Sequence, residues 1–132
     1  MRTEVLVLDA SAVLALLLGE PGAERVKAVL DGAILGVVNL AEVVGHYAKL
    51  GASREDIAAM LGPLPIQIAP ADADLSYEAG LLRPITVERG LSLGDRFCLA
   101  LSKREGTRAL TAERRWPEIS AAVGVEVELI RP

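Results

Sequence analysis

Five short apolar runs limit how this chain can fold: EVLVL at 4–8, AILGVV at 33–38, PIQIA at 65–69, RALT at 108–111 and EVELI at 126–130. Runs of this length, rich in Val, Ile and Leu, read as strands. Helical patterns fill the gaps at 11–18, 22–31, 39–50, 53–61, 71–82 and 94–105, with stops at Gly19, Gly32, Gly51 and Gly106. An antiparallel pair closes through a tight turn, whereas a helix-length connection suits a parallel crossover. The spacing therefore predicts an α/β chain, a three-layer sandwich with a central parallel sheet of four to five strands flanked by helices on both faces.

A single domain over 1–132 is expected, since no Pro, Gly or Ser rich stretch is long enough to be a linker. The chain is 52% hydrophobic with one Phe, two Tyr and one Trp, so its core is aliphatic. Cys98 is the only cysteine and closes no intrachain disulfide, which makes the cytoplasm the expected compartment. The apolar stretch at 5–18 is interrupted by Asp9 and falls short of the roughly 18 residues of a membrane span, so neither a secretory signal nor a membrane partner is expected. A net charge of −4 argues against a broad nonspecific nucleic-acid binder. Residues 83–115 nevertheless hold eight Lys and Arg against four Asp and Glu, the composition of a local basic face.

Four acids stand at strand-to-helix junctions: Asp9 after LVL, Glu42 in VNLAEVV, Asp95 in SLGDRFCLAL and Glu113 in ALTAERRW. Taken singly, each has a capping explanation. Asn39 caps the third helix with Glu42 at N3, Ser92 and Asp95 have the S-x-x-D spacing of a capping box, and Asp9 or Thr111 caps the segment after it. Taken together, they share one edge, because crossover helices begin at the carboxyl ends of the strands, where ligands of α/β folds collect. If the strands that carry Asp9 and Glu113 are neighbours, the four carboxylates converge.

Two like charges about 5 Å apart at an effective dielectric near 20 repel by roughly 3 kcal/mol. Such a group relaxes by holding protons or by binding a divalent cation, and all-oxygen donors favour Mg2+ or Mn2+ over zinc. On this reading Asp9 is a metal ligand, and the chemistry it supports is hydrolysis of a phosphodiester by metal-activated water. Arg96, Arg114 and Arg115, next to Asp95 and Glu113, are the candidate substrate contacts, although adjacent arginines are also ordinary solvated surface.

The blocks LDASAVLALLLGEPG, NLAEVVG, GLSLGDRFCLALS and ALTAERRW, in this order, resemble the motifs of PIN-domain ribonucleases. The chain's size is similar to that of the VapC-like toxins of type II toxin-antitoxin pairs. The resemblance covers nearly the whole chain and implies that Asp9, Glu42 and Asp95 bind magnesium or manganese, with Glu113 as the fourth acid of the site. It also implies that Ser11 and Thr111 are small hydroxyls near the site. The implied activity is endonucleolytic cleavage of RNA by a homodimer that a small antitoxin protein holds inactive. One residue departs from the pattern: the family usually has Asp where this chain has Glu113, one methylene longer, while Trp116 keeps the expected aromatic.

The alternative is a PIN-fold module that engages RNA or an antitoxin without hydrolysis, Glu113 marking the decay. A receiver or aspartyl-phosphatase reading that uses Asp9 is weaker, because Ser11 stands where the second acid of a D-x-D would be and Asp72 comes too late after the third strand; a covalent phosphoaspartate would revive it. No G-x-x-x-x-G-K-S/T or G-x-G-x-x-G loop is present. His46 and Trp116 read as packing or surface, Cys98 as a small core residue, and Asp72 and Asp74 as charges that suit a helix dipole. The apolar helices of 22–61 offer a surface for a dimer or antitoxin contact.

Overall fold

The computed structural model describes residues 4–132. Strand β1 (Val7–Leu8) feeds α1 (Ala10–Leu18) and α2 (Ala23–Val29), and β2 (Ile34–Gly36) feeds α3 (Val37–Lys49) and α4 (Arg54–Leu61). Strand β3 (Gln67–Ala69) is followed by α5 (Ala73–Leu81), the short α6 (Arg83–Thr86) and α7 (Leu93–Glu105). Strand β4 (Ala109–Thr111) leads through α8 (Ser120–Val123) to β5 (Val127–Leu129). The sheet runs β3-β2-β1-β4-β5 with every pairing parallel, the predicted three-layer architecture at five strands.

Alternation along the strands builds two cores. Leu6, Leu8, Leu35 and Leu110 face one side, where Ala12 and Val13 of α1, Val26 of α2 and Val43 of α3 cover them. Val7, Ile34 and Ala109 face the other, against Leu75 and Ala79 of α5, Cys98 and Leu99 of α7, and Trp116. Strands buried on both faces carry near-continuous apolar sequence, which is why the runs were legible.

The third helix begins earlier than predicted. Gly36 is its N-cap, with extended backbone (φ −70°, ψ 151°), and Val37 and Val38 form the first turn instead of ending the strand. A methyl at Gly36 would lie 3.1 Å from Leu101 Cδ2, so α7 packs closely over the strand-to-helix turn. Asn39 is therefore not the cap. The short α6, α8 and the 3-10 turns at Val87–Arg89 and Trp116–Ile119 lie outside the predicted elements, because three or four residues carry too little periodicity to show.

Gly22 precedes α2 with φ +97°, and a Cβ there would lie 2.7 Å from Ile130 Cγ1 and 2.8 Å from the Ile130 carbonyl oxygen. Gly22→Ala is expected to cost roughly 2–4 kcal/mol, combining left-handed strain with overpacking against backbone, as a denaturant titration would read. No helix among the described residues is long and apolar enough to cross a membrane.

Candidate active site

Strand order reverses at β1, which pairs with β2 on one side and β4 on the other. This is the topological switch point, and Asp9 stands just beyond its carboxyl end with its N–H donating to Leu110 O at 2.9 Å. Asp9 occupies the N-cap of α1, yet its side chain makes no capping hydrogen bond. Its carboxylate is engaged instead by the two hydroxyls singled out in the sequence: Ser11 Oγ donates to Oδ2 at 2.6 Å and Thr111 Oγ1 donates to the same oxygen at 3.0 Å. Ser11 Oγ in turn accepts the Ala112 N–H, and Thr111 Oγ1 accepts the Glu113 N–H, both at 3.0 Å. The start of α1, the end of β4 and the following loop are thus stitched around one carboxylate oxygen.

Asp9 is only 3% exposed. Burial pushes its pKa up to about 7, the hydroxyl bond from Ser11 opposes this, and the charges of Asp95 and Glu42 add to the rise. Asp95 and Glu42 come from different helices, so the acids of three motifs act on one another across the sheet edge.

Glu42 lies on the second turn of α3 and is exposed as a residue, but its carboxyl end is held. Asn39 Nδ2 donates to Glu42 Oε1 at 2.8 Å and to Gly94 O at 3.1 Å, linking α3 to the first turn of α7. Partial burial raises the Glu42 pKa, the Asn39 bond lowers it and the Asp95 charge raises it again. Asp95 completes the predicted capping box: Ser92 Oγ accepts the Asp95 N–H at 3.2 Å, and Asp95 Oδ2 accepts the Ser92 N–H at 2.8 Å. Capping and membership of the acidic rim are therefore compatible for this residue.

The neighbouring of β1 and β4, a condition that the sequence left open, is met. Convergence is looser than expected: among the described residues, no three of the His, Cys, Asp and Glu side chains stand together as a set that would hold a metal ion as placed. Each of the three carboxylates is held by a partner of its own, hydroxyls for Asp9, an amide for Glu42 and a backbone N–H for Asp95, and without a cation between them like charge opposes closer approach. Glu113 is half-buried on the loop after β4, and among the described residues no hydrogen bond or ion pair engages its carboxylate.

The expected basic face is mostly dispersed. Arg96 is 7% exposed and donates to Leu91 O at 3.2 Å, which places it in the interior and not among substrate contacts. Arg104 pairs with Asp72 at 3.0 Å, Arg89 with Glu118 at 3.3 Å, and Arg108 with Glu128 at 3.0 Å. Arg115 packs over the turn at Gly90, where a Cβ would lie 2.6 Å from its guanidinium. Arg114 is exposed and makes no ion pair among the described residues. His46 packs edge-on against Tyr47, ring centroids 5.1 Å apart. Cys98 is buried below the rim, where burial and then the charges of Asp9, Asp95 and Glu42 push its thiol well up.

Sequence reasoning missed what Asn39 and Gly94 do. The N-x-x-E spacing was visible but read as a cap, and the Gly-Asp pair was visible without its reason, which lies 52 positions away at Glu42.

The PIN domain family model matches residues 6–122. A comparison with curated protein sequences finds no match. Among solved structures, the DNA-bound VapBC from Salmonella typhimurium superposes with a TM-score of 0.73 at 16% identity, covering 96% of this chain and 98% of that one. VapC20 from Mycobacterium tuberculosis, a sarcin-ricin loop cleaving toxin, gives 0.69 at 22% identity over 89% of this chain and 94% of its own. FitAcB from Neisseria gonorrhoeae gives 0.69 at 20% identity over 93% and 96%. With the family model and the fold agreeing over the same residues, the chain belongs to the PIN domain family.

Proposed function

We propose that this chain is a divalent-metal-dependent endoribonuclease, the toxin of a toxin-antitoxin pair, working in the cytoplasm as a homodimer that a small antitoxin protein restrains. The observation that carries this reading is Asp9: a buried carboxylate at the switch point of a PIN domain, fixed by two hydroxyls and opposed by two further acids. A hard cation is the natural counter-charge, and the donor set contains only oxygen, which suits Mg2+ or Mn2+. Asp9, Glu42 and Asp95 would hold the ion, with Glu113 as the fourth acid of the set. When bound, the ion supplies an acidic water for attack and offsets charge on the phosphodiester.

The chain's own residues prepare the site. Ser11 and Thr111 fix the direction of the Asp9 carboxylate through Oδ2, while Asn39 holds Glu42 and the Ser92 box holds Asp95. Each acid is thus oriented before substrate arrives, which reduces the reorganisation the reaction requires. Arg114 is the exposed cation nearest in sequence to Glu113 and is assigned to the RNA backbone, as a positioning contact without sequence information. The solved neighbours support the partner assignment, since they include toxin-antitoxin complexes.

The absence of a gathered three-acid set among the described residues favours a second reading, a PIN-fold module that binds RNA or antitoxin without cutting. Incubation with mixed RNA separates the two. Cleavage is expected in Mn2+ or Mg2+, is expected to fall at least about a hundredfold with excess chelator, and returns when the ion is restored. Cleavage indifferent to the chelator contradicts the proposal. Saturable metal binding with no cut strands selects the module.

A further inference from the structure

Asn39 is fully buried on α3, three residues inside a helix whose N-cap position belongs to Gly36. Its side-chain nitrogen meets two acceptors from different elements, Glu42 Oε1 at 2.8 Å and Gly94 O at 3.1 Å. An amide NH2 serves both from one uncharged atom, whereas a hydroxyl has a single hydrogen and a carboxylate has none. The opposite rotamer would aim the amide oxygen at two oxygens. The Asn39 Oδ1 itself has no partner among the described residues, so the side chain is satisfied on its donor end alone.

Gly94 supplies the second half. It is buried in the first turn of α7, and a Cβ there would fall 2.5 Å from Glu42 Oε1 and nearer still to Oε2. The missing side chain is the room that the Glu42 carboxylate occupies. Glycine inside a helix is otherwise inferior to alanine. The same turn carries Asp95, so one contact relates two acids from separate motifs.

We infer that Asn39 and Gly94 form a built seat that holds the Glu42 carboxylate against α7 and thereby sets the affinity of the acidic rim for a divalent cation, an inference that rests on the metal-dependent reading above. Both are positioning residues: they act through Glu42 and touch neither metal nor RNA. Methylating the seat by Gly94→Ala evicts a flexible carboxylate while giving α7 a better helix former. Affinity and stability therefore move in opposite directions, which a merely structural glycine would not produce.

The test is a calorimetric Mn2+ titration of the full chain, its Gly94→Ala variant, its Glu42→Ala variant and the double variant, with unfolding temperatures measured without metal. Gly94→Ala is expected to weaken Mn2+ binding at least about tenfold, in the range of lost supporting contacts, with an unfolding temperature equal to or above the parent's. In the Glu42→Ala background the same substitution is expected to change affinity by less than about twofold, since its target is gone. The Asn39 side-chain amide resonance is expected to shift in both single variants. Parental affinity in Gly94→Ala, an undiminished loss in the Glu42→Ala background, or an unmoved Asn39 resonance would each overturn the inference. If the parent chain binds no Mn2+, the metal reading itself fails, and the Asn39 resonance alone decides whether the seat exists.

Discussion

Asp9→Asn is expected to lower RNA cleavage by at least about a thousandfold and, at the same time, to make the metal-free protein more stable at pH 8. Both effects come from one buried carboxylate. An unfolded aspartate titrates near 3.8, whereas burial holds Asp9 at about 7. Between these values the folded chain keeps a proton that the unfolded chain releases. The Asp9 contribution to stability without metal is therefore largest below about pH 4, falls as pH rises to about 7 and stays low above it. Three pH units correspond to an upper limit of roughly 4 kcal/mol, so an uncharged asparagine is expected to recover roughly 2–4 kcal/mol at pH 8. Ser11 and Thr111 hydroxyls can rotate to serve the amide as they serve the carboxylate. Denaturant titrations of both proteins at pH 8 and pH 4 check the sign: the gap should be wide at pH 8 and closed at pH 4. Equal stability of the two proteins at pH 8 would mean that Asp9 carries no strained charge.

The second large effect is confined to the fold. Trp116 is 1% exposed in the core that α5 and α7 close over the sheet, and Ile119 and Val123 pack in the same cluster. Trp116→Ala is expected to cost roughly 3–5 kcal/mol, the range for a large aromatic deleted from a packed interior. At this chain length that is on the order of 10–20 °C in unfolding temperature. Trp116→Phe is expected to cost much less, because the indole N–H has no acceptor among the described residues and its loss forfeits no hydrogen bond. Below its unfolding temperature the alanine variant should still bind Mn2+, since Asp9, Glu42 and Asp95 sit on other elements. Comparable unfolding temperatures for the alanine variant and the parent would show that the aromatic is not a packing anchor.

What the sequence revealed, and what it hid, divides along a physical line. The inner strands were legible because parallel strands covered on both faces are nearly continuously apolar, as in LVL at 6–8 and AIL at 33–35. The Ser92 and Asp95 box was legible because capping is local, set by residues three apart. Strand order was not, since pairing of β1 with β4 joins residues about a hundred positions apart and nothing local encodes it. Asn39 was misread for the same reason. Its spacing to Glu42 is that of a cap, but the acceptor that explains it, Gly94 O, is 55 residues distant. Arg96 failed likewise: sequence placed it beside an acid on a basic segment, and only packing shows that this turn of α7 directs it inward. The motif blocks identified the family because they list the residues of the rim, while several of the contacts that orient those residues join one block to another and only the fold shows them.

Proton release on metal binding tests the shared-cation account most directly. At pH 6 the buried Asp9 is mostly protonated, so Mn2+ must displace its proton before the carboxylate can serve as a ligand. Calorimetric titrations in buffers of different ionisation enthalpy are expected to show about one proton released per ion bound at pH 6, declining to about none by pH 9, and neither saturable binding nor release in Asp9→Asn. Mn2+ binding that is saturable in Asp9→Asn, or that releases no proton from the parent chain at pH 6, would contradict it.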